Sequence, residues 1–236
     1  MPRILIILTA LIALTAGIAG ADDTYVRLTT DEGEILLALK SDLAPNHVAN
    51  FVHLCGTGFY DRTSFHRVIP GFMIQGGDPN SKDEDRGNDG TGGPTWVDVM
   101  NAEDAAKIAE VNDLLVRRGY AGFSDQAQIR AEFNSGRHVR GTVSMARSQS
   151  VDSGGSQFFI CVADVPHLDG KYTVFGQVVW GLDVVDVIVA TDRDRSDNPL
   201  QPIRILKADV LAGVDGLSDE ERTALEAATV VPTSLE

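Results

Sequence analysis

The chain has 236 residues, 43% hydrophobic and 23% charged, enough apolar material for one well-buried core and too much for a wholly disordered polypeptide. Its formal net charge of −14 disfavours nucleic acid and anionic lipid surfaces as partners. Cys55 and Cys161 form no CxxC pair and the five histidines lack metal-ligand spacing, so one disulfide or two buried thiols stay open and no metal site is indicated.

Residues 1–21 read as a secretory signal: Arg3 precedes an apolar run from Ile4 to Ile18, and Ala19-Gly20-Ala21 fits a small-residue cleavage site. The mature chain then begins at Asp22 and, having lost Arg3, carries −15. The run is short beside the roughly 20 apolar residues of a spanning helix, and Asp22-Asp23 supply no basic stop-transfer flank. Export, in a bacterial cell to the periplasm, without lasting membrane association is therefore expected; an uncleaved anchor is the alternative.

Tyr25–Thr30 and Ile35–Leu39 flank the turn Asp31-Glu32-Gly33-Glu34 and predict a hairpin. Pro45 stands at a first helical position, and Val48, Phe51, Val52 and Cys55 recur at helical spacing until Gly56 and Gly58. Strand-like runs follow at Ser64–Val68, Phe72–Gln75, Gly141–Met145, Gln157–Val162, Thr173–Val179 and Ile203–Val210, with a second short helix from about Gly181. So many short strands with Gly-rich turns predict a β sandwich or closed barrel.

Between Asp78 and Phe133 lie an acidic loop, Asp83–Asp89, and a helix with Asn101 as cap, Asp104 three residues on, an apolar side of Ala105, Ile108, Ala109, Leu114 and Leu115, and Gly119 as stop. The acidic loop lacks the spacing and twelfth-position Glu of an EF-hand, so it reads as a solvated loop. The inserted helix either covers the rim of a binding groove or caps barrel surface. After Val210 the chain turns acidic and Ala-rich; Ser218 and Glu221 make a capping box for a helix to about Ala228, before a loose tail through Pro232. The domain organisation is thus 1–21 signal, 22–212 one β domain with an insertion at about 95–130, and 213–236 an acidic helix and tail.

Chemistry concentrates in two segments. Phe65-His66-Arg67-Val68-Ile69-Pro70-Gly71-Phe72-Met73-Ile74-Gln75 brings one guanidinium, large apolar side chains and an amide into a strand-turn-strand stretch. Gly155-Ser156-Gln157-Phe158-Phe159-Ile160 adds a second amide and two aromatics. With Gly90-Thr91-Gly92-Gly93 and Leu168-Asp169-Gly170 in order, these segments resemble the signature of the cyclophilins, peptidyl-prolyl cis-trans isomerases, and the resemblance runs from about Tyr25 to Val210.

That resemblance implies a mainly β fold, a closed eight-stranded antiparallel barrel capped by two helices, here with the extra helical insertion and C-terminal helix. It implies an isomerase acting on proline-containing polypeptides as a monomer, without cofactor or metal. The Arg67, Phe72 and Gln75 side chains stand at its catalytic positions. Met73, Ala146, Arg147, Gln157, Phe159, His167, Leu168 and Tyr172 stand at its substrate-binding positions. Alternation along the strand assigns Phe158 to the core, opposite Phe159. Gln75 and Gln157, amides in apolar strands, each need a partner, because an unpaired buried polar group costs about 1–3 kcal/mol. Three positions depart from the usual pattern: Arg147 replaces Asn, His167 replaces the Trp of many members, and Tyr172 replaces His. The change at His167 bears on cyclosporin binding more than on catalysis. A prolyl-peptide-binding module or holdase without turnover is the rival reading.

Overall fold

A computed structural model describes residues 24–100, 102–119 and 126–229. The signal segment, the Asn101 cap and the final tail lie outside the described residues.

The first hairpin pairs β1 (Thr24–Thr30) with β2 (Gly33–Leu39) across the turn Asp31-Glu32. The sheet continues with β3 (Arg67–Ile69), β4 (Met73–Gly76), β5 (Thr142–Met145), β6 (Phe158–Cys161), β7 (Val174–Trp180) and β8 (Ile205–Ala212). Its order is β3-β4-β6-β5-β7-β2-β1-β8, and every ladder is antiparallel.

The expected closure is corrected here: the eight strands form an open, half-barrel sheet whose end strands β3 and β8 share no ladder. The chain ahead of β3 runs along the free edge of β8 instead, through one bridge between Ser64 and Arg204 and the bonds Phe65 N–H to Ile203 O (2.9 Å) and Ile205 N–H to Thr63 O (2.7 Å). It then crosses to β4 at Arg67, so no single strand spans both edges and the expected Ser64–Val68 strand is split. The outer edge of β3 receives a cover, Val68 N–H donating to Asp197 O at 2.8 Å.

Strand alternation separates two faces. Val26, Leu28, Ile35, Leu37, Val68, Ile74, Val143, Phe158 and Ile160 point to one core. Two helices complete it, α1 (Pro45–Gly56) through Val48, Phe51 and Leu54 and α4 (Leu182–Val189) through Val185 and Ile188. Phe51 meets Phe158 edge-to-face at 5.3 Å. Cys55 and Cys161 are separate buried thiols; burial raises both, Cys161 to about 12.

The N-terminus of α1 has no local side-chain cap. The Glu132 carboxylate, 85 residues away from His47, accepts from the backbone N–H of Asn46 (3.1 Å) and His47 (2.9 Å) and lies 2.6 Å from His47 Nδ1. Burial pushes this carboxyl up, but those donors together hold it below its ordinary value.

Three helices contribute no buried side chain to that core. Within the insertion, α2 (Trp96–Val99) leads into α3 (Ala102–Arg117), whose main contact is α2 and whose only buried side chain is Ala105. At the other end of the chain α5 (Asp219–Thr229) is docked mainly on β7, with Leu217 and Leu225 buried in a cluster with Tyr25, Leu36 and Ala38 on the outer face of β1 and β2 and with Val179 and Trp180 of β7 packed against it.

Candidate active site

The register of four strands sets one row of side chains. Arg67 on β3 is opposite Gln75 on β4, Gln75 opposite Phe159 on β6, and Phe159 opposite Ser144 on β5. Directly opposed residues share a face, here the outer one, because their neighbours Val68, Ile74, Ile160 and Val143 fill the core. The adjacent row, Ile69, Met73 and Cys161, continues the apolar part of that face.

Phe72 lies in the turn between β3 and β4. Pro70 and Gly71, the latter at φ +72°, form its corner, and Phe72 N–H donates to Ile69 O at 3.0 Å. The Phe72 carbonyl accepts from Val162 N–H at 3.0 Å, which fixes the turn to the end of β6.

Nine of the sequence-assigned side chains close around one pocket of about 180 Å³: Arg67, Phe72, Met73, Gln75, Ala146, Arg147, Phe159, Leu168 and Tyr172. Met73, Phe159 and Leu168 are buried in its floor and wall, while Arg67 is exposed at its rim. Gln157 lies in the adjoining hollow of about 170 Å³. His167 is exposed outside the pocket, its ring 6.0 Å from that of Phe72.

A chain of hydrogen bonds holds the polar side. Arg67 makes a long contact of 3.5 Å with Gln75 Oε1; Gln75 Nε2 donates to Gln157 Oε1 at 2.9 Å, and Gln157 Nε2 donates to Gly92 O at 2.8 Å. Gly92 is itself anchored by Asp78, a buried carboxylate that accepts from the backbone N–H of Gly90, Gly92 (3.2 Å) and Asn80 (2.8 Å). A Cβ on Gly92 would come within 2.1 Å of Asp78 Oδ1, so only glycine allows this approach. The two glutamines thus have the partners their burial requires, and the Arg67 side chain is backed by a relay ending in backbone.

Beneath the pocket the His138 ring stacks on Phe159, centroids 6.0 Å apart and planes 16° from parallel. Its Nδ1 lies 3.0 Å from Asp169 Oδ1 and its Nε2 3.0 Å from Ser144 Oγ. Burial lowers the His138 pKa and outweighs the neighbouring Asp169 carboxylate, which raises it, while the Ser144 hydroxyl donates to Thr173 O. The backbone and ring donors of His138 hold Asp169 below its ordinary value. Serine, histidine and carboxylate here resemble a hydrolytic triad, but Ser144 is fully buried, with its hydroxyl also 2.9 Å from Thr173 O, so no substrate carbonyl reaches it. The group is a support that fixes Phe159.

Arg147 contributes a side chain as well as its expected main chain. Its guanidinium lies 4.5 Å over the Tyr172 ring and donates to the carbonyls of Lys171, Ser148 and Gln149. The stack, of order 0.5–1 kcal/mol where exposed, holds two loops across the pocket mouth. Neither this clamp nor the Asp78 anchor nor the His138 support is legible in the sequence, where each is an isolated polar residue whose partners, from a few to some thirty positions away, carry no mark of the pairing.

Comparison with known proteins agrees with this geometry. Residues 25–210 match the family model described as cyclophilin type peptidyl-prolyl cis-trans isomerase. A probable peptidyl-prolyl cis-trans isomerase of Brucella suis is 38% identical over 84% of this chain and 87% of its own length. Peptidyl-prolyl cis-trans isomerase A of Dickeya dadantii is 38% identical over 89% and 97% respectively. A crystal structure of a Cryptosporidium parvum cyclophilin in the presence of the dipeptide Ala-Pro superposes with a TM-score of 0.62 at 26% identity, covering 80% of this chain and 99% of the other. The chain belongs to the cyclophilin-type peptidyl-prolyl cis-trans isomerase family.

Proposed function

We propose that this isomerase turns X-Pro bonds in exported, unfolded or flexible polypeptides, with Arg67, Phe72 and Gln75 carrying the catalysis and no cofactor taking part. The Arg67 guanidinium at the rim of an apolar pocket is the observation that carries the reading. The leader-like residues 1–21 motivate the exported setting.

The reaction needs no nucleophile. Rotation about the prolyl bond faces about 18–20 kcal/mol because the amide nitrogen donates its lone pair to the carbonyl. Moving exchange from tens of seconds to milliseconds takes roughly 5–7 kcal/mol of stabilisation, all of which must be realised in the twisted state. In that state the nitrogen becomes pyramidal and basic. A guanidinium that stays charged at neutral pH can donate to it, and its planar fork can also hold a neighbouring carbonyl. Phe72, Met73, Phe159 and Leu168 grip the ring, while the Ala146–Arg147 main chain pairs with the peptide like an added strand. The crystal structure of the Cryptosporidium relative in the presence of the dipeptide Ala-Pro supports a prolyl ligand for this pocket.

The rival is a holdase that binds prolyl segments without turning them over, for which a cation at the pocket rim has no use. Exchange NMR on a four-residue Xaa-Pro peptide with a trace of the purified chain separates the two. Line broadening from accelerated cis-trans exchange is expected; binding without acceleration would hand the site to the rival.

A further inference from the structure

The insertion leaves an apolar surface beside the pocket. The helix α3 is 16 residues, about 24 Å, long. Val97 on α2 is 68% exposed, and Val111, Leu114 and Val116 on α3 are 49%, 47% and 56% exposed. Of these, Val97 and Val116 share one hollow, whereas Val111 and Leu114 do not line it. Between α2 and α3 lies a hollow of about 530 Å³ whose apolar lining includes Trp96, Val97, Ile108 and Val116.

Between this hollow and the prolyl pocket lie two others, each sharing wall residues with the next. The pocket and the hollow at Gln157 share Gln75, Ala146 and Arg147. That hollow shares Gly92, Gly93 and Gln126 with the next, which in turn shares Thr95 and Val97 with the α2–α3 hollow. The base of the arm is fixed to the groove wall: Ala127 N–H donates to Pro94 O at 2.7 Å, Ile129 N–H to Gly154 O at 2.7 Å, and Thr95 bridges to Gln126. We call this row of adjoining hollows between the pocket and the arm the trough.

The charges of α3 indicate what fits. Lys107 pairs with Glu103 at 2.8 Å and Arg117 with Asp113 at 2.7 Å, so both bases of α3 are matched within the helix, whose four acids leave it net acidic and unsuited to an acidic flank. The chain's own α5 is docked elsewhere, on the outer face of β7 and its neighbours β2 and β1.

We infer that the α2–α3 hollow is an auxiliary docking surface for an apolar, unfolded stretch of the same polypeptide whose prolyl bond occupies the pocket. This rests on the isomerase reading and names its substrate class: proline-containing chains with an apolar flank, as in proteins not yet folded. The arm raises the local concentration of such a flank at the pocket and needs no chemistry of its own.

The test uses two 24-residue peptides with one Xaa-Pro bond, one flanked by Leu and Val, the other by Ser and Gln, and a four-residue peptide too short to span the trough. The full mature chain should turn over the apolar-flanked 24-mer about tenfold better in kcat/KM than the polar one. The double variant V97E/V116E, altered at two exposed positions, should lose that preference and keep wild-type turnover of the four-residue peptide. Fluorescence anisotropy of both 24-mers reads the surface independently of turnover. Apolar preference in binding without any peptide exchange would uphold the arm and overturn the isomerase reading. Equal handling of both 24-mers by the wild type, or a preference that survives V97E/V116E, would overturn the inference. So would sedimentation showing a wild-type dimer that the variant dissolves, since a second copy would then cover the face.

Discussion

Helices α3 and α5 carry similar signals in the sequence, an apolar stripe at helical spacing and acidic residues in the first turn, yet one projects and the other is docked. The difference lies in what faces them. Leu36 and Ala38 alternate with the core residues Ile35, Leu37 and Leu39, so β2 is apolar on both faces and its outer face needs a cover. That cover is α5, clamped by Glu221, which accepts from Arg27 at 2.8 and 2.6 Å while closing the capping box with Ser218. Among the described residues, no comparable apolar sheet face meets α3. Periodicity declares that a helix forms; only the partner surface decides whether it packs.

The comparison can be broken at its clamp. Glu221→Ala removes both the cap and the ion pair and should cost roughly 2–3 kcal/mol, read as lost amide protection in α5 and a lower urea midpoint. Unchanged protection would mean that Leu217 and Leu225 alone hold the helix. A smaller effect follows from pH at the support beneath the pocket. Burial lowers the His138 pKa in the folded chain, and that of His66 as well, so the unfolded chain takes up more protons below its ordinary histidine value. Stability is therefore full above about pH 6.5 and falls as the pH drops below it. Urea unfolding at pH 7.5 and 5.5 should show the decline, and His138→Gln should flatten it. The smallest effect belongs to α3: Leu114→Ser should stay within about 0.5 kcal/mol of wild type. A loss of more than 1 kcal/mol in thermal unfolding would mean that α3 packs more tightly than its exposure indicates.

Local signals made much of the fold readable. Pro45 and Gly56 bound α1, Ser218 and Glu221 bound α5, and apolar runs locate each strand within a few residues. Closure was not readable, because the pairing of residues 62–65 with the edge of β8 ahead of β3 is a long-range one with no signal in the local sequence. At the site, the apolar lining follows from strand alternation once Arg67, Gln75 and Phe159 stand in register. What escaped the sequence are the fixings: Glu132 capping α1, Asp78 anchoring Gly92, His138 under Phe159 and Arg147 over Tyr172. Each joins residues distant in the chain, and a lone polar residue in a sequence does not name its partner. The placement of His167 outside the pocket likewise depends on where one exposed turn ends.

The central claim is that Arg67 acts on the twisted amide more than on the bound ground state. The most direct measurement compares kcat/KM and peptide Kd for wild type, Arg67→Ala and Phe72→Ala on one Xaa-Pro peptide. Arg67→Ala should lower kcat/KM by roughly 10² to 10³, about 2.7–4 kcal/mol, while weakening binding far less and leaving the fold intact. Phe72→Ala should instead lower binding and turnover together, because the prolyl ring is gripped in both states. Equal losses of rate and affinity in Arg67→Ala would contradict the account and reduce Arg67 to a binding residue.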